Sequence, residues 1–176
     1  MNVLQSQLDV YQETGYLVLR GLFSGEEMAA LAGECDSLLQ RTDLIHSDNL
    51  RCRFQPHENG SPCLFETFDP VVDIAPQCAA VAADRRVHEV LEQIYEDDAC
   101  LFKDKLIFKP PGARGYGLHQ DYIAWKNFPR SFITVLVAID AADQENGCTV
   151  VYPGYHLKGC LTTEDGDYHE LPESAV

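Results

Sequence analysis

Apolar positions recur at helical spacing twice near the start of the chain. Val3, Leu4, Leu8 and Tyr11 share one face over residues 3–14, and Gly15 supplies a stop. Tyr16-Leu17-Val18-Leu19-Arg20 is β-rich and predicts a short strand closed by Gly21. Ser24 then stands three residues before Glu27, the spacing of a capping box. Behind it Met28, Leu31, Ala32, Cys35, Leu38 and Leu39 keep the helical period to about Gln40. Over residues 41–73 the period disappears. Pro56, Gly60, Pro62 and Pro70 punctuate a polar stretch that predicts a long loop with one short strand, a covering element of the kind that often serves function. The helical pattern returns from Ile74 to Tyr95, clearest in Val87, Val90, Leu91 and Ile94.

From residue 99 the pattern becomes that of strands. Ala99 to Phe108 alternates, Pro110-Pro111-Gly112 with Gly115 and Gly117 makes a turn-rich connection, and His119 to Trp125 predicts a further strand. Phe132 to Ile139 is a nearly unbroken apolar run, as a central strand would be. Glu145-Asn146-Gly147 reads as a turn, and Cys148 to Tyr152 as a strand ended by Pro153-Gly154. After Leu161 the chain is polar. Helices first and strands second predict an α+β fold, with helices against a mostly antiparallel sheet. Only about five strands are visible where a double-sheet jelly roll needs about eight. The sheet is therefore expected to be incomplete, with an apolar face and open edges that favour self-association.

Composition narrows the partners. The 176 residues suffice for one domain with a core. Thirteen Lys+Arg against 28 Asp+Glu give a formal net charge of −15, which argues against nucleic acid and anionic membrane surfaces and reads as solubility. No apolar run approaches the roughly 20 residues of a membrane-spanning helix, and the first residues lack the pattern of a signal peptide. A cytoplasmic location is the expectation. The seven cysteines form no CxxC, so reduced, buried thiols are expected in place of a zinc site or disulfide scaffold.

Candidate chemistry centres on His119-Gln120-Asp121. On a strand, residues two apart share a face, so an imidazole and a carboxylate can grip one metal ion. These are two of the three ligands of the facial triad that holds non-haem Fe(II) and leaves positions open. Tyr122 and Trp125, just beyond, either line a substrate pocket or fill a core. Lys105 and Lys109 alternate with Ile107 and are either cations for a dicarboxylate or solvated lysines on an exposed edge. Arg51, Arg53 and Gln55 in the long loop read as solvated, with a substrate anion as the alternative.

Four blocks together resemble the phytanoyl-CoA dioxygenase family. They are the opening Tyr11-Gln-Glu-Thr-Gly-Tyr-Leu-Val-Leu-Arg-Gly-Leu-Phe-Ser24, the strand Leu106 to Gly112, the pair His119 and Asp121, and Asn146 to His156 with its Pro153-Gly154-Tyr155-His156 ending. The resemblance covers essentially the whole chain. It implies a double-stranded β-helix, jelly-roll or cupin-like, with N-terminal helices. It also implies Fe(II) bound by His119 and Asp121, 2-oxoglutarate as co-substrate near Lys105, and hydroxylation of a small organic substrate with O2. In the family His156 belongs to the strand-turn block and is not an iron ligand.

Family members continue through strands that bring a distal His ligand and an Arg for 2-oxoglutarate. Here no His follows His169 and no Arg follows Arg130. Residues 1–176 are therefore expected to be a single domain that forms the N-terminal part of such a catalytic domain. The alternative from another class is an inactive, truncated remnant acting as a binding or interaction module.

Overall fold

The computed structural model describes residues 3–121, 131–161 and 170–176. The chain divides into two compact units. One is built on Arg20–Arg114 with Ala138–Gly147, and the other on Val3–Leu19, Gly115–Val137 and Cys148–Val176.

In the first unit the capping box forms as the sequence dictates. Ser24 Oγ accepts the Glu27 amide at 3.2 Å, and Glu27 returns a carboxylate to the Ser24 amide at 2.6 Å. Helix α2 runs from there over Gly25–Leu39 and buries Leu31, Cys35 and Leu38 on one face. The apolar pattern that predicts one helix over 74–95 yields two, α3 (Pro76–Ala82) and α4 (Arg85–Tyr95). Asp84 makes the break, because its carboxylate accepts the Arg86 amide at 2.8 Å and starts a new helix. Arg86 then bridges Asp84 and Glu27 at 2.7 and 2.5 Å, donates to the Leu22 carbonyl and lies over the Phe23 ring. The guanidinium holds the carboxyls of Glu27 and Asp84 down at about 2.

The sheet of this unit is antiparallel, in the order β1 (Cys52–Pro56), β2 (Cys63–Phe68), β3 (Leu106–Ile107). Two of its strands fall inside the stretch predicted to be a long loop. Their apolar signal is short, and His57 to Pro62 joins them through a turn in which Gly60 has φ +87°. A bulge between Arg53 and Phe54 shifts the register, leaving Glu66 as the extra residue between Phe65 and Thr67. Glu66 is buried and accepts from Gln55 at 3.1 Å. Phe54, Phe65, Phe68 and Phe108 form an aromatic cluster that runs from exposed Phe54 to the buried core at Phe68. Phe68 is fully buried, a burial worth roughly 1.5–3 kcal/mol.

The second unit holds α1 (Gln5–Thr14), ended by Gly15 at φ +83°. A turn at Tyr155–Lys158 receives this helix end. The Gly154 amide donates to Thr14 O at 2.8 Å, and His156 Nε2 donates to Gln12 O at 3.0 Å. A Cβ on Gly15 would lie 2.3 Å from His156 Nδ1, so only glycine fits there.

An α+β composition is therefore present, with most helices early in the chain. The predicted strands differ. Among the described residues, Tyr16–Arg20, His119–Asp121, Phe132–Ile139 and Cys148–Tyr152 carry no strand, and Ala99–Phe108 narrows to Leu106–Ile107. A strand exists only where a neighbour supplies the ladder, and apolar sequence predicts the propensity without the partner. Val135, Leu136, Val150, Val151 and Tyr152 are exposed. No helix is long and apolar enough to cross a membrane among the described residues.

Candidate metal centre

The turn-rich connection after Pro110–Gly112 leads into the loop that carries His119 and Asp121. Both side chains reach one point: His119 Nε2 lies 3.2 Å from Asp121 Oδ1. Strand alternation does not bring this about, since the loop is not a strand. The convergence comes from contacts fixing each side chain separately. His119 Nδ1 lies 2.7 Å from the Gly117 carbonyl, which can only accept, so Nδ1 carries the proton. Asp121 Oδ2 accepts from the Thr134 hydroxyl at 3.0 Å, leaving Oδ1 for the imidazole side.

Gln120 fixes the backbone between them. Its amide donates to Gly159 O at 3.0 Å and accepts the Leu161 amide at 2.9 Å. The Leu171 amide holds Leu118 O at 2.6 Å, and the Glu170 carboxylate packs against Gly117 so closely that a Cβ there would meet its Cδ at 2.6 Å. The Tyr116 ring lies 6.5 Å from the His119 ring, centroid to centroid.

The donor set fits a divalent metal. With Nδ1 protonated, a neutral His119 presents a lone pair on Nε2, opposite a carboxylate oxygen. Two acceptors facing each other call for a cation, either a proton on Nε2 or a metal ion. Two ligands each about 2.1 Å from an ion and at right angles stand about 3 Å apart, close to the observed separation. Asp121 is exposed and His119 is half-buried, so the pair faces solvent. Among the described residues no group of three His, Cys, Asp or Glu side chains could hold a metal ion. His156 is occupied at the end of α1.

The remaining candidates fare differently. Tyr122 and Trp125 lie outside the described residues. Lys105 is exposed beside β3, whereas the Lys109 ammonium donates to Gly147 O. Arg51 is held by Asp73 through two hydrogen bonds and by Pro70 O, Arg53 by Leu50 O, and Gln55 by Glu66. Arg53 is exposed and Arg51 and Gln55 are half-buried, so these groups meet solvent while their hydrogen bonds also hold the segment in place. Sequence reasoning missed Thr134 and Gln120. The signals were a single hydroxyl inside an apolar run and an amide between two candidate ligands.

Comparison with known proteins identifies the family. The family model described as Phytanoyl-CoA dioxygenase (PhyH) matches residues 11–174. Methylphosphonate hydroxylase of Gimesia maris is 27% identical over 156 residues, 89% of this chain and 58% of that protein. The dioxygenase lolE1 of Epichloe uncinata is 29% identical over 168 residues, 93% of this chain and 63% of that protein. A 2-aminoethylphosphonate dioxygenase from an uncultured bacterium is 34% identical over 79 residues, 44% of this chain and 30% of that protein. In each case the aligned region is less than two thirds of the relative's length.

Proposed function

Because the chain belongs to the phytanoyl-CoA dioxygenase family, we propose that it is part of an Fe(II)- and 2-oxoglutarate-dependent dioxygenase that hydroxylates an unactivated C–H bond of a small organic substrate. The observation that carries this reading is the approach of His119 Nε2 to Asp121 Oδ1, at the His-x-Asp positions of the family resemblance. His119 Nε2 and Asp121 Oδ1 would hold the iron. Bound there, Fe(II) supplies the activation of O2 that is coupled to oxidation of 2-oxoglutarate.

The chain's own residues prepare the site. The Gly117 carbonyl fixes the imidazole tautomer, the Thr134 hydroxyl keeps Asp121 a one-oxygen ligand, and Gln120 sets the backbone between the two. Lys105 is the better co-substrate cation of the two lysines, since Lys109 is engaged by Gly147 O. Tyr122 and Trp125 are proposed to line the substrate pocket. Two relatives named for phosphonates make small phosphonates the first substrates to assay.

The whole domain is proposed to be a double-stranded β-helix of which residues 1–176 form the N-terminal part. The third protein ligand and the arginine for 2-oxoglutarate would come from the part of the family's domain that these residues do not include. The exposed Val135, Leu136, Val150 and Val151 support that reading, and this apolar surface is proposed to favour self-association of residues 1–176. A second reading, a non-catalytic binding module, is favoured by one observation: no third metal-binding side chain joins the pair among the described residues.

Succinate release after anaerobic Fe(II) loading and addition of oxygen and 2-oxoglutarate tests the proposal. Residues 1–176 alone should stay near the free-iron background, and a polypeptide extended through a distal His and Arg should exceed it. An extended polypeptide that stays at background would support the binding-module reading.

A further inference from the structure

In the second unit the last residues are seated on the loop that carries the metal pair. Leu171 is buried, and its amide donates to the Leu118 carbonyl at 2.6 Å. That bond sets Glu170 beside Gly117. The space a side chain at 117 would fill is taken by the Glu170 carboxylate: a Cβ there would meet Cδ at 2.6 Å, Oε1 at 2.8 Å and Oε2 at 2.9 Å. Glycine at 117 is what lets the carboxylate in. The carbonyl of the same glycine accepts from His119 Nδ1 at 2.7 Å.

We propose that Glu170 is a positioning residue of the metal centre, seated by Leu171 and acting through the Gly117 carbonyl on the ring of His119. This role presupposes the metal-binding role proposed for His119 and Asp121. Its physical basis is the freedom of a glycine. Without a Cβ, the backbone at 117 has more conformations open to it than any other residue type allows, and each aims the carbonyl differently. Residues 117–120 belong to no strand or helix, so neither a ladder nor a helical turn orients that carbonyl. The Leu171 amide fixes the next carbonyl along, and the Glu170 carboxylate closes the bare side of the glycine. Together they leave Gly117 O aimed at Nδ1, which keeps the proton there and the Nε2 lone pair toward Asp121 Oδ1.

Glu170 does not complete the ligand set, since among the described residues no three His, Cys, Asp or Glu side chains could hold one ion. It differs from the other supports of the pair too. Thr134 bonds Asp121 itself, and Gln120 ties the loop to Gly159 and Leu161. Glu170 is exposed, and its carboxylate is the movable end of a long side chain. An alanine Cβ at 117 would therefore push the carboxylate aside at little cost to the backbone. Gly117→Ala and Glu170→Ala thus remove one and the same contact from its two sides. Glu170→Gln keeps it, because the amide has the shape of the carboxylate.

The experiment is a double-mutant cycle on residues 1–176 with two readouts. One is anaerobic Co(II) titration, and the other is nitrogen NMR of the His119 ring in the metal-free protein, at a pH where the ring is neutral. Glu170→Ala and Gly117→Ala should each weaken Co(II) binding roughly tenfold, the lower end of what supporting residues contribute. The double variant should lose no more than either single one, because both remove one contact. Each should lower the share of the Nδ1–H tautomer, and Glu170→Gln should match the parent in both readouts. If Gly117→Ala folds poorly, Glu170→Ala and Glu170→Gln decide. An unchanged tautomer in Glu170→Ala would overturn the assignment whatever the affinity, and so would additive losses in the double variant. A parent that binds no Co(II) would sink the metal reading, while the tautomer, read without metal, still decides the role of Glu170.

Discussion

Thr134 reaches Asp121 through one hydroxyl, at 3.0 Å from Oδ2. Removing it frees that oxygen to turn toward the ion or toward water, at the cost of the orientation that leaves Oδ1 opposite His119. Groups that orient a metal ligand are typically worth 10–100-fold in metal affinity or activity. Thr134→Val keeps the shape and is expected to weaken Co(II) or Fe(II) binding by about that range, measured by anaerobic titration, while Thr134→Ser retains it. Unchanged affinity in Thr134→Val would remove Thr134 from the site. At this scale His119 and Asp121 were legible in the sequence because the chemistry demands two particular residue types at one spacing. Thr134 and Gln120 were not, because a hydroxyl and an amide are common everywhere. Their meaning depends on which distant backbone or carboxylate the fold sets in front of them. The sequence reading also gave the wrong cause for the pairing of His119 with Asp121. Carbonyl, hydroxyl and amide contacts converge the pair on a loop where strand alternation was expected.

The helices were the most legible elements. Capping is local chemistry, so Ser24 with Glu27 and the stop at Gly15 could be read from a few residues, and both are found. The division at Asp84 was missed because the apolar period runs through it, and only the carboxylate marks the new start. Strands were less legible because a ladder needs a partner. The Phe54, Phe65 and Phe68 segments pair although proline and glycine surround them, while the stronger apolar run from Phe132 does not form a strand.

The Arg86 cluster offers a test at this scale. Glu27 and Asp84 are held at about 2 by Arg86, below their ordinary 4.5 and 3.8. A carboxyl depressed in the folded state stabilises the fold above the unfolded-state value, and the stabilisation is lost as pH falls through the folded one. The melting temperature of the protein should therefore exceed that of Arg86→Met by most above pH 4.5, and the gap should narrow as pH falls toward 2. A gap that is constant with pH would show that packing on Phe23 and the bond to Leu22, rather than charge, carries Arg86.

At the scale of the molecule, the described residues hold one three-stranded antiparallel sheet, and its strands fall elsewhere than the apolar segments of the second half predict. The chain covers less than two thirds of each of the three relatives compared, and the metal pair stands without a third side chain among the described residues. The central claim is that His119 and Asp121 share one metal ion, and an anaerobic Co(II) titration of residues 1–176, followed by absorbance in the presence of 2-oxoglutarate, tests it directly. One equivalent should bind saturably. His119→Ala and Asp121→Ala should each weaken binding by more than the roughly 10–100-fold expected for a supporting residue. His156→Gln, which keeps an N–H donor for the end of α1, should leave it unchanged. Binding that survives both ligand substitutions, or that is lost with His156→Gln, would contradict the account.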